Sequence, residues 1–439
     1  MNFNPSIWVK KCSIFGTLLF SSSFVFAIDS LRVSLDDVLD KALANSKFIH
    51  KELLNVKIQD ELVQQKKSDL LPKISMRGSA SYATNMPIYD NGIFNKPSQH
   101  DVIHYLYDSG VDFYLNVYNG HRDLMQIEMQ KMTRSLTSII SDEASGKIKL
   151  EVCQLFLELQ LAYSNKTVIE KDIEDQKVQL EEINNLFKAG VVLHSDVLRI
   201  SLELSKREML LLKITNDISS LNQKLQLITG ISAVIIPLNH VVDKTLPAYP
   251  DIVNEAKHSA YILQKSEKSV ALKKLAIKQA QSNYLPEIGL TGTYTFANPQ
   301  IFLYPYNDSW YSLGIVGIKV NVPISSIYQN RHNVQASKLA YEREKVIHHD
   351  EEDQVCNALY TAYLDYKLAL EQRDICTKNV HLSIENARII RNRYFKSAAL
   401  ITDLLDADMQ HLQTLFELEA ARISIQKQFY YIEFLKGTI

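Results

Sequence analysis

The stretch Arg393-Tyr394-Phe395-Lys396-Ser397-Ala398-Ala399-Leu400-Ile401-Thr402-Asp403-Leu404-Leu405-Asp406-Ala407 interrupts a long helical pattern. Small residues stop the first helix, and Thr402, a residue type that caps helix N-termini, restarts it. Asp403 and Asp406 then follow three residues apart, which places both carboxylates on one helix face. The stretch therefore predicts a tight turn between two long helices, with an acidic face beginning just after the turn.

A second copy of this arrangement lies earlier in the chain. Phe187, Gly190 and Asp196 repeat the spacing of Tyr394, Ser397 and Asp403, while Arg199 stands where Asp406 stands in the later copy. A repeat period of roughly 200 residues predicts two copies of a domain-sized unit rather than a short-period solenoid.

Each copy alternates between helical and strand patterns. In the first copy, residues 28–232, a helical pattern from Ser34 ends at Pro72. Two strands with alternating polarity are predicted at about 74–83 and 109–118, and helices follow over 120–187 and 196–230. A proline-containing linker at 233–250 leads to the second copy, residues 251–439. There a helix from Asp251 ends at Pro286, strands are predicted at about 287–297 and 311–321, and helices at 326–394 and 403–435.

The N-terminus predicts export. Lys10 and Lys11 precede an apolar run from Ile14 to Phe26 and a small residue at Ala27, which is typical of a secretory signal peptide over residues 1–27. The nearly balanced net charge of -2 gives no indication of a nucleic-acid partner.

No chemistry of the enzymatic kind is predicted. The chain lacks a paired nucleophile and base, a glycine-rich phosphate loop and a ligand-spaced set of cysteines and histidines. His348 and His349 are adjacent and so point to different helix faces, and the acidic run after them is typical of a solvated surface. We therefore expect no catalytic residue, no cofactor and no metal site.

The predicted strands are about ten residues long, which suffices for a tilted strand to span a bilayer. Four strands per chain are too few to close a barrel with a lumen. Since an open strand edge is costly in lipid, several chains would have to share one barrel.

In these features the chain resembles the TolC family of outer-membrane efflux and secretion channels. The resemblance rests on the duplicated helix-strand-strand-helix unit, on Leu-Pro before the first strand of each copy, and on the run Arg393–Ala407. It implies a mostly α fold with a small β part. The helices would form a long coiled-coil α-barrel across the periplasm, and the four strands per chain would contribute to a trimeric 12-stranded outer-membrane β-barrel.

The resemblance also implies roles for particular residues. Asp403 and Asp406 match the aspartates of the family's periplasmic constriction ring, and Tyr394 and Asp196 match an inter-helix lock at the tip. Gly190 and Ser397 would form the tip turns, and Pro72 and Pro286 the helix-to-strand junctions. The sequence departs from the family pattern at Ser397, which replaces the usual glycine, and at Ala399, where some members have an arginine.

The function implied is an exit duct for inner-membrane efflux pumps or type I secretion systems, gated at the periplasmic tip. Its partners would be two further copies of the chain, a periplasmic adaptor protein, an inner-membrane pump and outer-membrane lipid. The location would be the outer membrane of a Gram-negative bacterium.

Several alternatives follow from the residues alone. An exported coiled-coil scaffold or adhesin without channel activity would share the helical pattern, and an acidic helix face is most often simply solvated. The aromatic residues that flank the strands fit either a girdle at the membrane interface or ordinary loop packing. They are Tyr89, Tyr105, Tyr107, Tyr304, Tyr306, Trp310 and Tyr311.

Overall fold

The computed structural model describes residues 30–240, 246–301 and 307–439. The predicted signal peptide lies outside these ranges, as do part of the predicted linker, at 241–245, and part of the loop between the last two long strands, at 302–306.

The order of elements repeats once along the chain. The first copy contains β1 (Ser30–Val33), α1 (Leu35–Asn45), α2 (Lys47–Ser68), β2 (Lys73–Tyr82), β3 (Met86–Ile88), β4 (Ser98–His100), β5 (Tyr105–Tyr118), α3 (Arg122–Lys188) and α4 (His194–Thr229). The predicted linker contains β6 (Val234–Pro237). The second copy contains α5 (Tyr249–Ser259), α6 (Tyr261–Ser282), β7 (Glu287–Asn298), β8 (Tyr311–Asn321), α7 (Ser326–Tyr394) and α8 (Ile401–Lys436). The predicted mostly α, duplicated helix-strand-strand-helix fold is confirmed.

Two very long helices organise the molecule. Helix α3 has 67 residues and α7 has 69, so each is about 100 Å long at 1.5 Å per residue. The shorter helices α2 and α4 pack along α3, and α6 and α8 pack along α7 and also against α3. The helices thus form one layer in the lateral order α2/α4, α3, α6/α8, α7. No helix in the described ranges combines the length and the apolar character needed to cross a membrane.

The first helix of each copy is broken, whereas the sequence pattern predicts continuous helices from Ser34 to Leu71 and from Asp251 to Leu285. The breaks fall at Ser46 and Ala260, and each lies where the C-terminus of another helix arrives. Beside the first break Asn45 Nδ2 donates to the carbonyl of Thr229, at 2.8 Å. Beside the second, Ser259 Oγ donates to the carbonyl of Lys436, at 2.5 Å. Because the last carbonyls of a helix have no partner within it, Asn45 and Ser259 satisfy carbonyl groups at the ends of α4 and α8.

The four long strands form one antiparallel sheet in the order β2-β5-β7-β8, the same lateral order as the helices that they join. Strand β2 begins directly after Pro72, and β7 begins directly after Pro286. The residues that pair across the sheet place serines, threonines and charged residues on one face. The other face carries Ile74, Met76, Val111, Ile318 and Val320, all largely exposed.

A small parallel sheet, which the sequence pattern does not predict, packs against the middle of α3. Strand β1 pairs with β6, so the N-terminal strand is held against the linker. Val33 and Ile235 from this pair enter the main hydrophobic core with Phe156 and Val152 of α3 and Leu225 of α4.

Candidate functional site at the helical tip

The two tip turns have the same backbone geometry. Gly190 and Ser397 both adopt a left-handed conformation, with φ of 73° and 57°. After each turn the same backbone hydrogen bond reaches back over the helix end: Val191 N donates to Leu186 O at 2.9 Å, and Ala398 N donates to Arg393 O at 2.8 Å. This is the Schellman arrangement that commonly ends helices with a left-handed residue.

The helix that follows each turn is capped by an aspartate. The sequence pattern predicts Thr402 as the N-cap of α8, but the helix begins at Ile401, and Leu400 is the capping position. The carboxylate of Asp403 accepts a hydrogen bond from Leu400 N at 3.1 Å, and Asp196 accepts one from Leu193 N at 3.4 Å. A carboxylate at this position also stabilises the positive end of the helix dipole, which explains why the aspartate performs the capping rather than Thr402.

Buried apolar residues join the two tips into one cluster. It contains Ile183 of α3, Ile200 of α4, Tyr394 of α7, and Ile401, Leu404 and Leu405 of α8. The ends of the first and second copies therefore pack directly against each other.

The two predicted ring residues point away from this cluster. Leu404 and Leu405 are buried, whereas Asp403 and Asp406 are exposed. The carboxylates thus share the free face of α8, as their three-residue spacing predicts.

The predicted lock residues come close to each other without forming a hydrogen bond. Tyr394 is 7% exposed, and its hydroxyl has no hydrogen-bond partner among the described residues. Burial raises the pKa of Tyr394, and the negative charge of Asp196 raises it further. An unpaired buried hydroxyl is costly, so a small movement of Asp196 toward it would be favourable.

A buried polar layer, absent from the sequence predictions, lies beneath the acidic face. It comprises Asp172, Gln176 and Gln179 of α3, Arg207 of α4 and Asp408 of α8. Arg207 is only 2% exposed, and its Nε donates to Asp172 Oδ2 at 2.5 Å. The amides of Gln176 and Gln179 both donate to Asp408 Oδ2, each at 3.2 Å. The available signal in the sequence was Gln176 at an apolar position of the coiled-coil pattern.

Burial disfavours the charged forms of the two aspartates in this layer. Burial raises the pKa of Asp408, although the two glutamine amides, Arg207 and Arg391 act in the opposite direction. Burial also raises the pKa of Asp172 despite its ion pair with Arg207. Within the ranges that the structure describes, three atoms of the layer are buried without a hydrogen-bond partner: Gln176 Oε1, Gln179 Oε1 and Arg207 Nη2.

The histidine pair does not form a metal centre within the described chain. His348 Nδ1 lies 2.6 Å from Ser266 Oγ, while His349 Nδ1 lies 3.0 Å from Glu352 Oε2. No group of three or more acidic, histidine or cysteine residues in the ranges that the structure describes has the geometry of a metal site.

Comparisons with known proteins agree with this architecture. Residues 252–437 match the family model described as outer membrane efflux protein. No curated protein matches the chain in sequence. Among solved structures, CusC is similar with a TM-score of 0.78 and 14% identity over 92% of each chain. VceC of Vibrio cholerae gives 0.75 and 14% over 92% of this chain and 96% of its own. The CmeC outer membrane channel of Campylobacter jejuni gives 0.75 and 15% over 92% and 85%.

The fold is therefore that of the outer-membrane channels with a helical and a strand portion, over nearly the whole described chain. The second copy matches the outer membrane efflux protein family in sequence and the whole described chain matches such channels in fold, so the predicted resemblance to TolC-like channels is confirmed. The family that residues 252–437 match is one of outer membrane proteins, in agreement with the predicted location in the outer membrane.

Proposed function

We propose that three copies of this chain form a channel-tunnel through the outer membrane and into the periplasm. The observation that carries the proposal is the pair of unpaired edges of the four-stranded sheet. In the described ranges, strands β2 and β8 each pair with a neighbour on one side only. Since unpaired backbone groups are costly in lipid, β8 of one copy would pair with β2 of the next, and three copies would close twelve strands.

The helical layer has matching free edges. Helix α4, at one edge, exposes an apolar row at heptad-like spacing: Leu198, Leu202, Met209 and Leu212, each 58–71% exposed. Helix α7, at the opposite edge, exposes a second row: Leu364, Leu368, Ile375, Leu382 and Ile389. Such rows are typical of coiled-coil contacts, so α7 of one copy would pack on α4 of the next. The two edges are different surfaces, and a head-to-tail contact of this kind generates a ring.

The two faces of the sheet support a barrel in lipid. The face with Ile74, Met76, Ile318 and Val320 would contact lipid, and the face with serines and threonines would line a wet lumen. At the end of the sheet remote from the helices, the ring of Trp310 stacks on those of Phe296 and Tyr107, with centroid distances of 4.9 and 5.9 Å. We assign these aromatic residues to the membrane interface. Tyr304 and Tyr306 lie outside the described ranges.

At the other end of the molecule, three copies of Asp403 and Asp406 would place six carboxylates around one axis. A ring of fixed negative charge attracts cations and repels anions. We propose that this ring is the periplasmic constriction of the closed channel. Tyr394 and Asp196 would form the lock between the tips, and opening would separate them.

A periplasmic adaptor protein would bias this opening and connect the tip to an inner-membrane pump. The pump and adaptor would then select the cargo, whether an efflux substrate or a protein for type I secretion. An exported scaffold without channel activity would share the long helices but has no use for a sheet with one apolar face and two free edges.

The test is to purify the protein from outer membranes in detergent, to determine its mass, and to record conductance in planar bilayers. We expect a trimer with small, cation-selective conductance. Replacing Asp403 and Asp406 by alanine should increase the conductance and remove the cation preference, and Tyr394→Phe should increase conductance with the preference retained. A monomer or dimer without conductance would reject the channel and leave the scaffold.

A further inference from the structure

The buried polar layer beneath the tip carries an excess of negative charge. Arg207 is paired directly with Asp172 at 2.5 Å. Among the described residues, Asp408 accepts hydrogen bonds only from two neutral amides, those of Gln176 and Gln179. Arg207 also lies 3.5 Å from a carboxylate oxygen of Glu203, so one guanidinium lies among the carboxylates of Asp172, Glu203 and Asp408. In the part of the chain that the structure describes, Asp408 is the one of the three without a bonded cation.

Asp408 is also placed to act on the proposed ring. It follows Asp406 by two residues, which corresponds to about 200° around a helix. Asp406 is therefore exposed on the free face of α8, while Asp408 is turned into the core against α3. The hydrogen bonds of Asp408 are made at the level of α8 that carries the ring, so any displacement of this end of α8 from α3 must break them.

The layer is better satisfied when this carboxyl group is protonated. The side-chain oxygens of Gln176 and Gln179 are both buried, and neither has a hydrogen-bond partner in the described part of the chain. A neutral Asp408 could donate its O–H to one of these oxygens and still accept from the other amide. Protonation would remove an uncompensated buried charge and fill an empty acceptor in a single step.

We propose that Asp408 is a positioning residue for the tip and that its protonation fixes α8 against α3, so that acid tightens the closed state of the channel. This inference rests on the proposed function. Burial raises the pKa of Asp408 in the packed arrangement. A carboxyl group with a raised pKa favours the packed state at low pH, and that advantage is lost as the pH rises through the raised value.

Other charged groups lie in or near this layer, and their titration must be separated from that of Asp408 in any test. Those on the surrounding helices are Asp172 and Asp175 of α3, Glu203 and Arg207 of α4, and Arg391 of α7. The proposed ring, Asp403 and Asp406, would also titrate if carboxylates crowd around the axis. The experiment therefore starts from a channel in which both ring residues are replaced by asparagine.

In that background we would measure open probability in planar bilayers from pH 8 to pH 5, with Asp408→Asn and, as the matched control, Asp175→Asn. Asp175 is an exposed aspartate on the same stretch of α3, so its replacement removes the same charge without entering the core. In the parent and the control, the ratio of closed to open channels should rise as the pH falls. The total rise should be about tenfold for each unit by which packing raises the pKa of Asp408. Asp408→Asn, which resembles the protonated acid, should keep the low open probability of the closed channel at every pH.

A second variant keeps the inference testable if Asp408→Asn fails to fold. Gln176→Leu removes one of the two donors to the charged form of Asp408, so the midpoint of closure should move to higher pH. If Asp408→Asn and Gln176→Leu both follow the pH profile of the parent, the inference is wrong while the channel itself stands. If the wild-type protein forms no channel at any pH, the proposed function fails and the inference fails with it.

Discussion

The two tips of the molecule share one backbone conformation but carry different side chains. Gly190 and Ser397 make the same left-handed turn, and Asp196 and Asp403 cap the helix that follows at the same position. Beyond this frame the copies differ: Arg199 occupies the position that corresponds to Asp406. The comparison teaches that the turn and its cap are requirements of the fold, whereas the second carboxylate belongs to the second copy and to the proposed ring.

The interiors of the two coiled coils differ in the same way. In the first copy, Arg207 forms an ion pair with Asp172 close to the buried Gln176. In the second, Ser383 and Thr414 stand at the same distances from the turn as Gln176 and Arg207. Ser383 Oγ lies 2.7 Å from Thr414 Oγ1 and 3.1 Å from His411 Nδ1. A charged layer in one copy thus corresponds to a hydroxyl and imidazole layer in the other.

The largest effect on stability is expected from breaking the charged layer. Arg207→Met would leave the buried carboxylate of Asp172 without its cation, at a cost of about 3–5 kcal/mol. The corresponding change in the second copy, Thr414→Val, removes a neutral hydrogen bond and should cost about 1 kcal/mol. Thermal unfolding of the detergent-purified protein measures both.

The pH dependence and a double variant sharpen this prediction. Because Asp172 can take up a proton when its partner is lost, the effect of Arg207→Met should be smaller at pH 5 than at pH 8. Adding Asp172→Asn should recover most of the loss. Equal losses for Arg207→Met and Thr414→Val would mean that the ion pair has no special role.

A smaller effect on stability is expected at the helix caps. Removing either cap should destabilise the protein by a similar amount, but only the change in the second copy should alter ion selectivity. Asp196→Ala and Asp403→Ala each remove a helix cap and should each cost about 1 kcal/mol. The cation preference in planar bilayers should fall with Asp403→Ala and persist with Asp196→Ala. Asp403→Asn separates the two roles, since asparagine can still cap the helix but carries no charge. Loss of the preference in Asp196→Ala would contradict the assignment of the ring.

The smallest effect is expected at the turns themselves. A residue with a Cβ is strained at positive φ, so Ser397→Gly should stabilise the protein by about 0.5–1 kcal/mol. Gly190→Ser should destabilise it by a similar amount, and a Cβ at Gly190 would meet no atom within 4 Å, so strain alone would act. Melting temperatures of the two variants should therefore move in opposite directions. A shift in the same direction would show that the two turns are not equivalent.

Much of the architecture could be read from local patterns. Pro72 and Pro286 mark helix-to-strand junctions because proline has no backbone N–H and restricts the residue before it. The alternation of polar and apolar residues in β2, β5, β7 and β8 predicts strands with two different faces. The three-residue spacing of Asp403 and Asp406 predicts a shared exposed face, as the structure has it.

The sequence by itself therefore determined the repeat, the order of helices and strands, the tip turns and the acidic face, because each depends on residues within one or two helical turns or a single strand. The tertiary structure alone decided the breaks at Ser46 and Ala260, the pairing of β1 with β6, and the union of Asp172, Arg207 and Asp408 in one buried layer. These features join segments far apart in the chain. They form because the polar groups of a helix end, a strand edge or a buried charge are satisfied by hydrogen bonds or ion pairs from another element.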